Sequence, residues 1–218
     1  MEQSFQDRVF STFDRIKNGR EADGCIRYPD IAPALSLSPV TLDAIGDPEN
    51  IALMTQWRQR FQHVFPSQFP VSEERTARWA VKLLHERPDR ILFFVVDANG
   101  RKVGHLGLSS FDFEAGICEI DNVIRGCDDA PKGIMQAATE ALMRWTFDAI
   151  APRELHIQTG NDNTRALALY LRCGFLPFDM TALTHVPSGE GMSWVEAGPR
   201  DPVGRLAVHM RYRPQPGS

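Results

Sequence analysis

No cluster of lysine and arginine occurs in this chain, whose formal net charge is -4. Neutralising a nucleic-acid backbone takes grouped cations, so a nucleic-acid partner is not expected and any phosphate must be gripped locally. Long apolar runs are lacking as well. The longest clean one, Ile91–Val96, falls far short of the ~20 residues that cross a bilayer. The start, Met1-Glu2-Gln3-Ser4, has neither the basic nor the apolar part of a signal peptide, which predicts no membrane association and a cytoplasmic location. Cysteine is sparse: Cys25, Cys118, Cys127 and Cys173 form no C-x-x-C pair, and the histidines show no H-x-x-x-H spacing. Reduced, buried thiols and no structural metal are therefore expected.

What is present fits one globular domain, because 43% of the residues are hydrophobic and a chain of this length can bury a sizeable core. Phe5, Val9, Phe13 and Ile16 recur every three or four positions and predict an amphipathic helix over 2–18 that stops at Asn18-Gly19. A short strand and turn over 36–45 follow, then helices over 51–61 and 72–84, the second with Ser72 as N-cap and Glu73 and Glu74 in its first turn. The middle reads as a β-meander. Ile91–Val96 is an apolar strand, Asp97-Ala98-Asn99-Gly100 a hairpin turn, 103–109 the returning strand and, past Glu114-Ala115-Gly116, 117–124 the next. Strict alternation sends Glu119, Asp121 and Val123 to one face and Cys118, Ile120 and Asn122 to the other. Two carboxylates on one face of a central strand are costly to bury unless they serve a function, line a wet groove or bond nearby backbone.

Directly after that strand, Arg125-Gly126-Cys127-Asp128-Asp129-Ala130-Pro131-Lys132-Gly133-Ile134-Met135 runs into a helix with apolar positions Ile134, Ala138, Ala141, Leu142, Trp145 and Ala149. A proline and a glycine at a helix start leave N–H groups outward at the positive end of the dipole, which suits a pyrophosphate. A strand over 154–159 follows, and then 163–175 reads N-x-x-A-x-x-L-Y-x-x-x-G-F. Ala166, Leu169, Tyr170 and Cys173 share one helical stripe, Gly174 stops the helix, and Phe175 begins a strand.

This stretch, together with the loop upstream, resembles the acetyl-CoA-dependent N-acetyltransferases of the GNAT superfamily over about residues 36–212. The loop departs from the superfamily's usual Q/R-x-x-G-x-G/A: only the region of Gly133 fits, and an insertion carrying two acids separates Arg125 from it. Trp57-Arg58-Gln59-Arg60, Val71-Ser72-Glu73-Glu74 and Trp79 are similar to the subgroup that acetylates amino groups on nucleotide-linked sugars, with Thr76 where that subgroup often has histidine. The resemblance implies an α/β (α+β) fold: a central mixed, mostly antiparallel twisted sheet flanked by helices, with an extra N-terminal helix and a late β-hairpin insertion. The expected division is a helical appendage over 1–35, an acetyltransferase domain over 36–212 and a flexible tail over 213–218. The appendage is read as serving packing or assembly into a homodimer rather than as a lid. The insertion is read as two strand-like pieces within 181–196, joined at Ser188-Gly189-Glu190-Gly191, either a specificity element or cover for a sheet edge.

The resemblance also assigns roles, with acetyl-CoA as co-substrate, no metal, and a small-molecule amine as partner. Glu119 is the expected base, with Asp121 and His105 in reserve; otherwise Glu119 is a solvated edge carboxylate and His105 a satisfied strand histidine. Backbone donors near Val123 are expected to meet the oxyanion. Tyr170, whose phenol is protonated at neutral pH, is the expected acid, and otherwise a packing aromatic. The residues expected at the cofactor are Val123, Ile124, Arg125, Lys132, Gly133, Ile134, Met135, Asn161, Asn163, Tyr170 and Arg172. A protein N-terminus or lysine as acceptor, or an inactive CoA-binding sensor or assembly module, are the alternatives.

Overall fold

Ile91–Val96 is apolar throughout because both of its faces are buried: Ile91, Phe93 and Val95 enter one hydrophobic cluster, Leu92 and Phe94 another. Around this strand the chain builds a two-sided sheet. The computed structural model describes residues 3–19 and 21–214, so 215–218 of the expected tail lie outside the described residues. The strands are β1 (Ser36–Pro39), β2 (Ser67–Gln68), β3 (Ile91–Val96), β4 (Lys102–Asp112), β5 (Ile117–Arg125), β6 (Glu154–Gly160), β7 (Leu176–Ser188), β8 (Gly191–Glu196) and β9 (Arg205–Tyr212). The helices are α1 (Phe5–Lys17), α2 (Leu42–Gly46), α3 (Pro48–Phe61), α4 (Glu73–Trp79), α5 (Ile134–Ala149) and α6 (Thr164–Arg172), with a π-helical turn over Ala80–His85 continuing α4.

The strands form one sheet in the order β1-β3-β4-β5-β6-β9-β7-β8-β2, and every pairing is antiparallel except β5 with β6. This is the mixed, mostly antiparallel sheet between helices that the resemblance implies. One face carries α1, α5 and α6, whose Val9, Phe13, Ala138, Leu142 and Tyr170 join the larger cluster. The other carries α2 and α3, whose Ala44, Ile45, Met54 and Trp57 form the smaller one. The N-terminal helix starts where Ser4 Oγ accepts the Asp7 amide at 3.1 Å. It is sewn into the main core, with Phe13 fully buried and stacked on Trp145.

The strand that carries the carboxylates does not alternate to its end. His105 pairs with Ile124 and Gly107 with Asp121, so β5 holds one residue more than β4 between these points. Such a bulge reverses the faces beyond it. Cys118 and Ile120 lie in the larger cluster while Ile124 lies in the smaller, and Val123 packs against the larger. The expected sharing of one face by Glu119, Asp121 and Val123 is therefore corrected: Val123 leaves their face, and Asn122, at φ +54°, turns toward the cavity they line.

The late hairpin extends the sheet and reaches back. β8 pairs with β2 through Ser67↔Ser193 and Gln68↔Met192, and the Trp194 amide donates to the Pro66 carbonyl at 2.8 Å. The 65–69 segment is thereby strapped across the sheet between α3 and the hairpin.

Candidate active site

The parallel ladder between β5 and β6 ends at Glu119↔His156, and beyond it the two strands diverge. A cleft of 150 Å³ opens between them, lined by Asp121, Asn122, Val123, Gln158, Asn163 and Tyr170 among others. On one side it adjoins a groove of 400 Å³ at the start of α5, sharing Val64, Val123, Asn163 and Tyr170 with it. On the other it adjoins a cavity of 430 Å³ beneath α3 and α4, sharing Phe65, Pro66, Glu119, Asp121, Asn122 and Gln158. The three spaces lie side by side along the line where the strands part, each sharing wall residues with the next.

The groove has the chemistry of a phosphate site. Gly133 caps α5 with φ +81°, a conformation that favours glycine, and a Cβ there would meet nothing within 4 Å. At the first turn of α5 the Ile134 amide donates back to the Pro131 carbonyl at 3.2 Å, while the Gly133 and Met135 amides beside the groove have no intrahelical partner. Arg60, Arg125, Arg165 and Arg172 line the same space. The inserted acids do not repel an incoming anion unopposed: Asp128 pairs with Arg60 at 2.5 Å and Asp129 with Arg101 at 2.6 Å. Arg125 folds the insertion by donating to the carbonyls of Asp128 and Ala130 at 2.9 and 2.6 Å.

At the junction, Tyr170 is 5% exposed and its hydroxyl has no hydrogen-bond partner among the described residues. Burial, and then the nearby Asp121 charge, push its pKa up, so it holds its proton firmly. Asn163 caps α6, its side-chain oxygen accepting the Ala166 amide at 3.3 Å, and lines both groove and cleft.

In the cavity the two carboxylates differ. Asp121 is committed: it pairs with Arg90 and accepts from Ser109 Oγ at 3.0 Å, from the Asn122 amide at 2.6 Å and from Asn122 Nδ2 at 2.9 Å. Glu119 is raised by burial; the Ser110 hydroxyl opposes this and the Asp121 charge adds to it. Ser110 stands at a second bulge, where β4 holds the extra residue between Ser109 and Asp112, with φ +53°. Two bulges with left-handed, non-glycine residues thus aim polar groups into one cavity. His105 is buried, and its Nδ1 lies 2.7 Å from the Asn122 carbonyl, the geometry of an Nδ1–H donor. Burial lowers its pKa to about 4, so it is neutral and pins the bulge.

The family model for the acetyltransferase (GNAT) domain matches residues 35–176, well over half of the chain. The chain belongs to the GNAT family. A search of curated proteins gave no match. Among solved structures, a GCN5-related N-acetyltransferase from Brucella melitensis aligns with a TM-score of 0.63 at 20% identity, over 90% of this chain and 80% of that one. The ribosomal L7/L12 alpha-N-protein acetyltransferase RimL aligns with a TM-score of 0.65 at 16% identity, over 86% and 94%. A dodecameric spermidine N-acetyltransferase from Vibrio cholerae aligns with a TM-score of 0.60 at 13% identity, over 83% and 94%. At these identities the likeness is one of fold.

This GNAT enzyme is an acyltransferase, and GNAT acetyltransferases use acetyl-CoA. Among the described residues no cluster of metal-ligating side chains and no helix long and apolar enough to cross a membrane occurs. The structure brings Glu119, Asp121 and His105 to the cavity, and Val123, Ile124, Arg125, Gly133, Ile134, Met135, Asn163, Tyr170 and Arg172 to the groove. It does not bring Lys132 or Asn161 to any of the three spaces. Lys132 is exposed, and the Asn161 side-chain oxygen accepts the Leu206 amide at 3.0 Å, which fixes β9 instead. Sequence reasoning missed Arg60, Gln136 and Arg165 in the groove, and Phe65, Phe69, Arg75, Arg90, Ser110 and Asn122 in the cavity. Only the Arg58–Arg60 segment and Trp79 had carried a signal, through the subgroup resemblance.

Proposed function

We propose that the enzyme transfers the acetyl group of acetyl-CoA to the primary amine of a small molecule, such as an amino sugar on a nucleotide carrier, by direct attack on the thioester. The observation that carries this reading is the row of three adjoining spaces, from the arginine-lined groove, past Tyr170, to the cavity lined by Glu119. Acetyl-CoA supplies an activated acetyl thioester. The free amides at Gly133 and Met135, with the groove arginines, grip its phosphates, and Asn163 borders the arm that leads to Tyr170.

Glu119, directly or through water, takes one proton from the ammonium of the acceptor and passes it to solvent. The free amine nitrogen bonds to the thioester carbon, and negative charge gathers on the carbonyl oxygen, which the Val123 amide in the parted sheet meets. As the carbon–sulfur bond breaks, Tyr170 protonates the departing sulfur and is recharged with the second proton that the nitrogen sheds. The products are an amide, the free thiol of CoA and one proton, which balances the reaction.

A small acceptor is supported by the roof over the cavity: the 65–69 strap, tied to β8, with Phe65, Phe69 and Trp79 beside Arg58 and Arg75. Aromatics and cations suit a base and a diphosphate better than an extended peptide. Thiol release from acetyl-CoA, followed with a panel of amines, tests the reading. Amine-dependent release is expected; cofactor binding without stimulation by any amine points to a sensor or assembly module instead.

A further inference from the structure

The ion pairs around the cavity leave one cation unmatched. Arg58, Arg75 and Arg90 line it together with Glu119 and Asp121. Arg90 is paired with Asp121, and Arg75 with Glu190 of the hairpin turn, while Glu119 is reserved for the amine proton. Arg58 alone is left over. It has no carboxylate partner among the described residues, and its Nη2 donates to the Ser67 carbonyl at 2.7 Å. Its guanidinium carbon lies 3.6 Å from the centre of the Phe65 ring and 5.2 Å from that of Phe69, so the head group is held by stacking on the strap. A guanidinium carries five N–H donors, and most of these have no acceptor here. Withdrawal from water lowers its pKa to about 10, against the opposing pull of Asp121, as befits a cation whose counter-charge is missing.

We infer that Arg58 is a specificity residue that receives an anionic group, carboxylate or phosphate, carried by the same molecule whose amine lies at Glu119. This deepens the reading above and rests on it. The 430 Å³ cavity holds both residues and suits a small bifunctional ligand. A polyamine would bring further cations to a space whose carboxylates other than Glu119 are already paired.

Matched acceptors test this on the wild-type enzyme, with thiol release giving kcat/KM. One pair is an amino acid and its carboxamide; another is an amino sugar phosphate and the free amino sugar; spermidine is the cationic control. The anionic member of at least one pair should be favoured roughly ten- to hundredfold, as for a hydrogen-bonded charge pair, and the responding pair tells carboxylate from phosphate. Arg58→Gln should bring that member down to the level of its neutral counterpart, chiefly through KM, and Arg58→Lys should recover part of the difference. Neutral members that match or beat both anionic ones, or a preference that survives in Arg58→Gln, overturn the inference while leaving acetyl transfer intact. Silence from every amine overturns acetyl transfer, and the inference with it.

Discussion

Tyr170 and Glu119 both have their ionisable groups drawn away from water, and both are pushed toward their protonated forms. For a phenol that must hand a proton to sulfur this is the required state, so Tyr170→Phe should lower kcat by roughly a hundredfold or more while calorimetry shows acetyl-CoA affinity unchanged. Unchanged turnover would remove Tyr170 from the acid role. For a carboxylate that must take a proton, the raised pKa makes a stronger base and moves the rising limb of the pH–rate profile above the ordinary carboxylate range. Glu119→Gln should erase that limb and spare cofactor affinity. The sign on stability follows: the folded form binds the proton more tightly than the unfolded, so stability is lost as pH rises from the unfolded to the folded pKa. Glu119→Gln should therefore raise the Tm at neutral pH and leave it unchanged in acid; an equal shift at both would contradict the burial effect. Glu119 was legible in the sequence as one of two carboxylates on a central strand. What set it apart from Asp121, the commitment of Asp121 to Arg90, Ser109 and Asn122, depends on residues distant in sequence and left no pattern to read.

At the scale of elements, the joint between α3 and the phosphate loop is tight. A Cβ on Gly126 would stand 2.1 Å from the Trp57 ring, and Trp57 also packs on His105 and Phe94. Gly126→Ala should cost about 1–3 kcal/mol by overpacking, lowering the Tm by about 2–4 °C per kcal/mol. It should also raise the KM for acetyl-CoA, because the loop that leads to Gly133 is displaced; a stability loss with KM intact would uncouple the two elements. The elements themselves were largely legible. The strand over Ile91–Val96 matches residue for residue, and Asn163 caps the helix that its motif announced. The bulge at Asn122 was not, since one added residue among alternating ones looks no different from a regular strand until its partner is known. The place of Lys132 in the loop says nothing of where its side chain faces. The strap over 65–69 is a short piece of irregular chain that pairs with a strand far along the sequence, beyond the reach of local periodicity.

At the scale of the whole molecule, the N-terminal helix shares the main core with the sheet and α5, as Val9, Phe13 and Ile16 show. Phe13→Ala should cost about 3–5 kcal/mol, read as a shift of the denaturation midpoint; a loss below 1 kcal/mol would mean that the helix merely rests on the surface. With that core in place, the parted strands, the start of α5 and the roofed cavity hold their positions side by side. A crystal structure with CoA tests this arrangement most directly. The diphosphate should lie within hydrogen-bonding distance of the first-turn amides of α5, with the thiol beside the Tyr170 hydroxyl. Density for CoA anywhere else, or a sulfur remote from Tyr170, would contradict the account.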